Sequence, residues 1–242
     1  MEVKVIITYN EKSKKFLKIS LMIIALILFV FIIGIIILKY EVEGENIENM
    51  PFKIAGITVA STVDAIKNED NENLWNLNLL QINDIYIKIE MNNNKENDIK
   101  SVKIQDISIE NSNIGNNKVT KLVSNNYNNE NMETIEFTGK TATNLEELTI
   151  SKQGGTIGFR YIIQDIGKYI SNDEQVTYNM ELLEKIGITR ETLLTNFNFN
   201  IVVELENDIK YIANIKLELP VDGENVKSID ISEIIFKRLL QN

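Results

Sequence analysis

Residues Ile19 to Leu38 read ISLMIIALILFVFIIGIIIL, twenty residues without a charge or a proline. At about 1.5 Å of rise per residue, such a helix matches the roughly 30 Å hydrocarbon core of a bilayer. The run is apolar on every face, whereas a helix packed on a globular core keeps a polar side. The sequence therefore predicts a transmembrane helix over 19–38, with the lipid bilayer as its partner. A cleaved signal peptide would carry a shorter apolar region, about 7–15 residues, and then a small-x-small site. Here the exit is Ile35-Ile36-Ile37-Leu38-Lys39-Tyr40, with no small pair. Gly34 and Ala25 are too far apart for a small-xxx-small helix contact, and no ionisable residue interrupts the run. A passive tether is expected.

The flanks give the tether a direction. Lys12, Lys14, Lys15 and Lys18 precede the run, and Glu41, Glu43, Glu45 and Glu48 follow it. Basic flanks stay on the cytoplasmic side, where they also meet anionic headgroups. The expected layout is a basic cytoplasmic tail over 1–18, the span over 19–38 and an acidic stalk over 39–51. An extracytoplasmic domain over 52–242 completes it, giving a single-pass cell-membrane protein with its N-terminus inside.

Charge and composition narrow what that domain can do. The whole chain carries −10 and the residues before the span about +3, so those after it carry about −13. That disfavours nucleic acid, which needs basic stripes, and anionic lipid or polymer surfaces. There is no cysteine, so packing and not disulfides must hold an exported domain, and no lipid can be attached through a thiol. There is no histidine, which removes Ser-His-Asp and Cys-His machinery and most zinc and iron sites. The excess of Asn, Ile, Lys and Glu reads as an AT-rich bacterial genome, in keeping with a bacterial envelope protein.

From Phe52 onward the dominant period is two. Ile85, Ile87, Ile89 and Met91 alternate with polar neighbours, as do Phe197, Phe199, Ile201, Val203 and Leu205, and then Ile215, Leu217 and Leu219. One-sided burial of strands produces this pattern. Asn- and Asp-rich clusters at 68–73, 92–98, 111–117, 125–131 and 222–225 separate the strands as turns. SKQGGTIGFRYII predicts a hairpin turning on Gly154-Gly155. Asn179–Ile186 has helical spacing and a stop at Gly187, and Thr189 can cap a further turn through Leu194. Ala60–Lys67 and Ser232–Leu240 fit either helix or strand. The string Asn-Asp-Ile-Lys occurs at 97–100 and at 207–210, each time between two strand-like runs. Either residues 80–109 and 194–219 are duplicated, or biased composition has repeated four letters. The fold class expected is mainly β: an antiparallel, sandwich-like domain with one or two short helices, on a single N-terminal transmembrane helix.

Sites are sparse. Gly154, Gly155, Thr156 and Gly158 do not have the spacing of a phosphate loop. Glu69, Asp70 and Glu72, and the loop at 92–98, offer oxygens without the ordered spacing of a calcium loop. No cofactor or metal is expected. Arg160 is one of three arginines and sits in a strand beside aromatics, so it is a candidate ligand contact, or else packs across its strand onto an acid. Trp75, the single tryptophan, is the second candidate, with an anchoring role as the alternative. Together these point to a non-catalytic binding or assembly module of the bacterial envelope, with a protein or polymer partner. The alternatives are a carboxylate hydrolase, which needs two acids about 5–9.5 Å apart, and a sensor. A sensor would need a cytoplasmic partner docking on MEVKVIITYN.

Overall fold

The computed structural model describes residues 22–30, 42–43, 50–68, 74–92, 98–111, 114–122, 130–142, 147–172, 175–221 and 226–239. Lys12, Lys14, Lys15 and Lys18 lie outside these, as do the ends of the 19–38 run, stalk residues 44–49, and Glu69, Asp70 and Glu72. The chain divides into two compact units, Met1–Val42 with Leu240–Asn242, and Glu43–Leu239. In the first, residues 22–30 form helix α1 with every side chain exposed. Among the described residues no helix is long and apolar enough to cross a membrane.

The second unit is mainly β. Its early strands are β1 (Val42–Glu43, at the unit boundary), β2 (Phe52–Lys67), β3 (Trp75–Met91), β4 (Ile99–Glu110), β5 (Asn116–Lys121) and β6 (Ile135–Phe137). Then come β7 (Gly139–Ala142), β8 (Glu147–Ser151) and β9 (Gly154–Ser171), followed by helices α2 (Met180–Glu184) and α3 (Arg190–Leu193). The chain closes with β10 (Thr195–Leu205), β11 (Lys210–Leu219), β12 (Val226–Ile229) and β13 (Lys237–Leu239). One sheet runs β1-β13-β11-β10-β4-β6; the other runs β12-β2-β3-β9-β8-β7, with β5 also on β9. Antiparallel pairing joins the long strands.

The alternation seen in the sequence is what drives the sheets together. Ile85, Ile87 and Ile89 of β3 are fully buried, and so are Phe197, Phe199, Ile201 and Val203 of β10. They belong to one core that draws on both sheets. Aromatic rings lock it: Phe159 of β9 meets Phe199 edge-on at 5.3 Å, and Phe52 of β2 meets Tyr211 of β11 at 5.5 Å. The result is the expected sandwich of two antiparallel sheets with few, short helices.

Four local expectations are settled. Ala60–Lys67 is strand, the second half of β2, held to β3 from Ala60↔Asp84 to Lys67↔Leu77. Of the stretch from Ser232, residues 232–236 are turn and irregular chain, and Lys237–Leu239 form the short strand β13. The predicted hairpin is present, but Lys152 and Gln153 make its turn, and Gly154 and Gly155 are the first residues of β9. Those glycines have φ of +107° and +148°, and a Cβ on them would strike the carbonyl oxygens of Ile89 and Thr149. Neighbouring backbones on both sides, not a turn, demand glycine there. The two Asn-Asp-Ile-Lys segments differ in their surroundings. β10 and β11 are a hairpin within one sheet, whereas β3 and β4 belong to different sheets. A duplicated half-domain would have kept one topology.

Candidate functional site

The inner face of β3 carries an irregularity that the apolar rows around it lack. Odd-numbered residues face the core: Leu77, Leu79, Ile85, Ile87 and Ile89 are all buried. Gln81 and Asn83 fall in the same row and are 1% and 0% exposed. Two amides inside an apolar row must find partners or cost about 1–3 kcal/mol for each group left bare. Asn83 is half satisfied. Ser61 of β2 donates its hydroxyl to Asn83 Oδ1 at 2.7 Å, and accepts the Val221 N–H at 3.0 Å. Gln81 Nε2 donates to the Ile82 carbonyl at 3.2 Å. Gln81 Oε1 and Asn83 Nδ2 have no hydrogen-bond partner among the described residues.

Gln81 lines a cavity of about 200 Å³. One wall is β2, at Ser61, Thr62 and Val63. The facing wall comes from the approach to α2, from Arg190, and from Pro220 and Val221 just past β11. The α2 helix is seated by local chemistry. Asn179 caps it, its side chain accepting the Leu182 N–H at 3.1 Å. Leu182 and Leu183 are buried, and Ile186 packs where Gly167 of β9 has no side chain. Helix α3 follows Thr189 and begins with Arg190, whose Nη2 donates to the Pro220 carbonyl at 3.0 Å. The Leu219–Pro220 peptide is cis. Tyr178 stands at the rim, its hydroxyl pushed above its ordinary range by burial and by the charge of Asp64. The cavity thus presents a buried acceptor and apolar surface from Val63, Met180 and Val221, beside an Arg190 guanidinium that is engaged with the Pro220 carbonyl.

A second cleft, about 350 Å³, lies against β4 and β5. Its polar groups serve the fold: Asn131 accepts the Val119 N–H at 2.7 Å, and Asp106 accepts from Asn200 at 2.9 Å.

The residues singled out in the sequence fall elsewhere. Arg160 grips Asp84 with two parallel bonds, Nε to Oδ1 at 2.6 Å and Nη2 to Oδ2 at 2.8 Å. The pair bridges β9 and β3 at directly opposed positions. Trp75 opens β3, half-buried against the core, with Lys67 Nζ 5.2 Å from its ring centroid. Neither lines the 200 Å³ cavity. Gln81, Arg190 and Tyr178 were missed. The signal for Gln81 was in the chain: carrying the row Ile89, Ile87, Ile85 backwards by twos reaches Asn83 and Gln81 before Leu79 and Leu77.

One group of acids, Asp98, Glu204, Glu206 and Asp208, is bound by lysines between the start of β4 and the β10–β11 turn. Lys100 Nζ reaches Glu204 at 2.8 Å and Asp208 at 2.7 Å, and Lys210 also reaches Glu204. Asp98 is held by Gln153 and Lys152. The hydrogen bonds from Lys100 lower the pKa of both Glu204 and Asp208. A general acid needs the opposite shift. Comparison with known proteins adds no relative: no family model matches the chain, and neither a curated protein nor a solved structure is similar to it.

Proposed function

We propose that this chain is a single-pass, membrane-tethered binding module of a bacterial envelope, with its β-sandwich on the extracytoplasmic side and its ligand in the cavity beside β2. The observation that carries the tether is α1. Its eight large apolar side chains, Met22 to Val30, are 53–76% exposed. At about 2 kcal/mol per side chain buried, leaving them in water forgoes on the order of 10 kcal/mol. A hydrocarbon surround recovers it, and the apolar sequence continues on both sides to the length of a bilayer. Lysines before the run and glutamates after it support the N-in orientation.

Binding is favoured over carboxylate hydrolysis by the state of the acids. Glu204 and Asp208 are tied to lysine and kept ionised, whereas the cavity offers recognition groups, the Gln81 amide and the Tyr178 phenol. The test is fractionation of cells producing the full chain, followed by external protease and in-cell crosslinking. The chain should stay with the membrane after alkaline washing, lose its β domain to protease added outside, and crosslink reproducibly to one envelope component. Recovery in the soluble fraction, or protection from external protease, would overturn the proposal.

A further inference from the structure

The sheet that ends at β6 leaves half of β4 without a neighbour. β6 pairs with β4 only at Val102, Lys103 and Ile104. Continuing that register would set Glu133 opposite Asp106. Instead the chain bends at Glu133 and turns to β5, where the Met132 N–H donates to the Val119 carbonyl at 2.8 Å. Beyond Ile104, β4 pairs with β10 on one side, and no described strand lies along its other side. A strand turns its N–H and C=O groups to its two sides alternately, so about two of residues 107–110 offer theirs to the open side. Such an edge accepts an extended peptide by adding it as a strand.

A β-bulge shapes the surface beside that edge. Asp106 has φ of +52°, and the register with β10 slips there by one residue, from Asn200↔Gln105 to Asn198↔Ser108. The extra residue reverses the alternation, so Ile107 and Ile109 follow Val102 and Ile104 onto the core side. Val102 and Ile104 are fully buried, whereas Ile107 and Ile109 are only half-buried. The cleft of about 350 Å³ opens against them, with Val119 and Met132 completing its apolar lining. Its charged lining is Asp106 and Glu133. Asp106 accepts from the neutral amides of Asn200 at 2.9 Å and Gln105 at 3.1 Å, which leave its charge in place. Among the described residues no lysine or arginine pairs with either acid.

We propose that this cleft receives an extended segment of a partner protein, which adds to β4 along residues 107–110 and carries lysine or arginine between apolar residues. Its main chain pairs with the open side of β4. Alternate apolar side chains meet Ile107, Ile109 and Met132, and the basic ones between them come within reach of Asp106 and Glu133. Charge decides between this occupant and a second copy of the chain, which would bring its own Asp106 and Glu110 against the same acids. The site lies apart from the cavity beside β2 and depends neither on that cavity nor on the tether.

The test uses the full chain in non-ionic detergent micelles, labelled with nitrogen-15. The probes are the capped peptide acetyl-Val-Lys-Val-Lys-Val-methylamide and the same peptide with Glu in place of both Lys. The Lys peptide should shift the backbone resonances of residues 107–110, Met132 and Glu133 saturably, and slow solvent exchange at alternate amides among 107–110. The Glu peptide should bind about tenfold more weakly at low salt, and the gap should narrow at high salt. Asp106→Asn combined with Glu133→Gln should weaken the Lys peptide about fivefold. Asparagine keeps an acceptor and tolerates positive φ, so this double variant should fold. If it does not, the two peptides on the unaltered chain still decide. No saturable shift, equal binding of the two peptides at low salt, binding without slowed exchange, or shifts confined to Gln81 would each overturn the proposal. So would an unchanged affinity in the folded double variant. Exchange at 107–110 that slows with protein concentration alone would give the edge to a second copy and overturn it as well.

Discussion

Arg160 and Asp84 are 16% and 14% exposed at their side chains and meet in a bidentate pair. Removing one partner strands a charge against the sheet, which is worse than having neither. Asp84→Leu or Arg160→Leu alone should each cost about 2 kcal/mol of unfolding free energy, below the value for a fully buried pair because both retain some water. The double variant should recover most of that loss, and denaturant titration of the four proteins would show it. Losses that simply add would mean the two side chains act separately. Gly155 makes a different demand. With φ at +148° and the Thr149 carbonyl where a Cβ would go, Gly155→Ala should cost about 2 kcal/mol or more, read from the same titration. The sequence marked Arg160 as unusual and Gly155 as a turn. It could not name Asp84, 76 positions away, because only the β3–β9 register brings them opposite. It misplaced the turn because glycine signals permissive backbone, and a turn and a close approach use that permission alike.

At the scale of elements, local rules were legible and tertiary choices were not. The α2 helix was predicted as Asn179–Ile186 and observed as Met180–Glu184 behind an Asn179 cap, because the capping chemistry is contained within a few residues. Asn179→Ala should lower stability by about 1 kcal/mol, while Asn179→Asp, which keeps an acceptor, should stay near the parent. Thermal unfolding of the two variants would separate a cap from a mere surface asparagine. Ala60–Lys67 was ambiguous because its apolar spacing suits both periods. Pairing with β3 decided it. The repeated Asn-Asp-Ile-Lys shows the same limit from the other side. Four identical letters lead into β4 and β11, yet β11 returns beside β10 whereas β4 leaves the sheet that holds β3. A turn signal says that the chain reverses, not which strand receives it. The amides at Gln81 and Asn83 escaped because apolar Ile82 and Leu80, themselves buried, stand between and beside them and invert the alternation locally; only the parity of Ile85, Ile87 and Ile89 carried backwards marks the amides as inward.

For the whole molecule, the Lys100 joint contributes to how stability depends on pH, alongside the lowered carboxyls of Glu90, Glu191 and Asp230. Glu204, 11% exposed, and Asp208, 62% exposed, both hydrogen-bond to Lys100, and their pKa values fall below the ordinary 4.5 and 3.8. A carboxylate depressed in the folded state contributes stability that is complete above its unfolded pKa and lost as pH falls through the folded value. Lys100, held by the same two carboxylates, is raised from 10.5, so its contribution is complete below 10.5 and fades above it. Stability should therefore be flat between these limits, fall below about pH 4, and fall again above about pH 10.5. Lys100→Met removes the common partner, so it should weaken the dependence at both ends while leaving the fold intact. Glu204 should account for more of the acid limb than Asp208, because salt screens the exposed carboxylate first. Denaturation midpoints across pH at low and high salt would check this. The joint here ties the start of β4 to the β10–β11 hairpin, far apart in the chain. An acid limb that is unchanged in Lys100→Met would place the pH-sensitive joint elsewhere, in carboxylates that Lys100 does not reach.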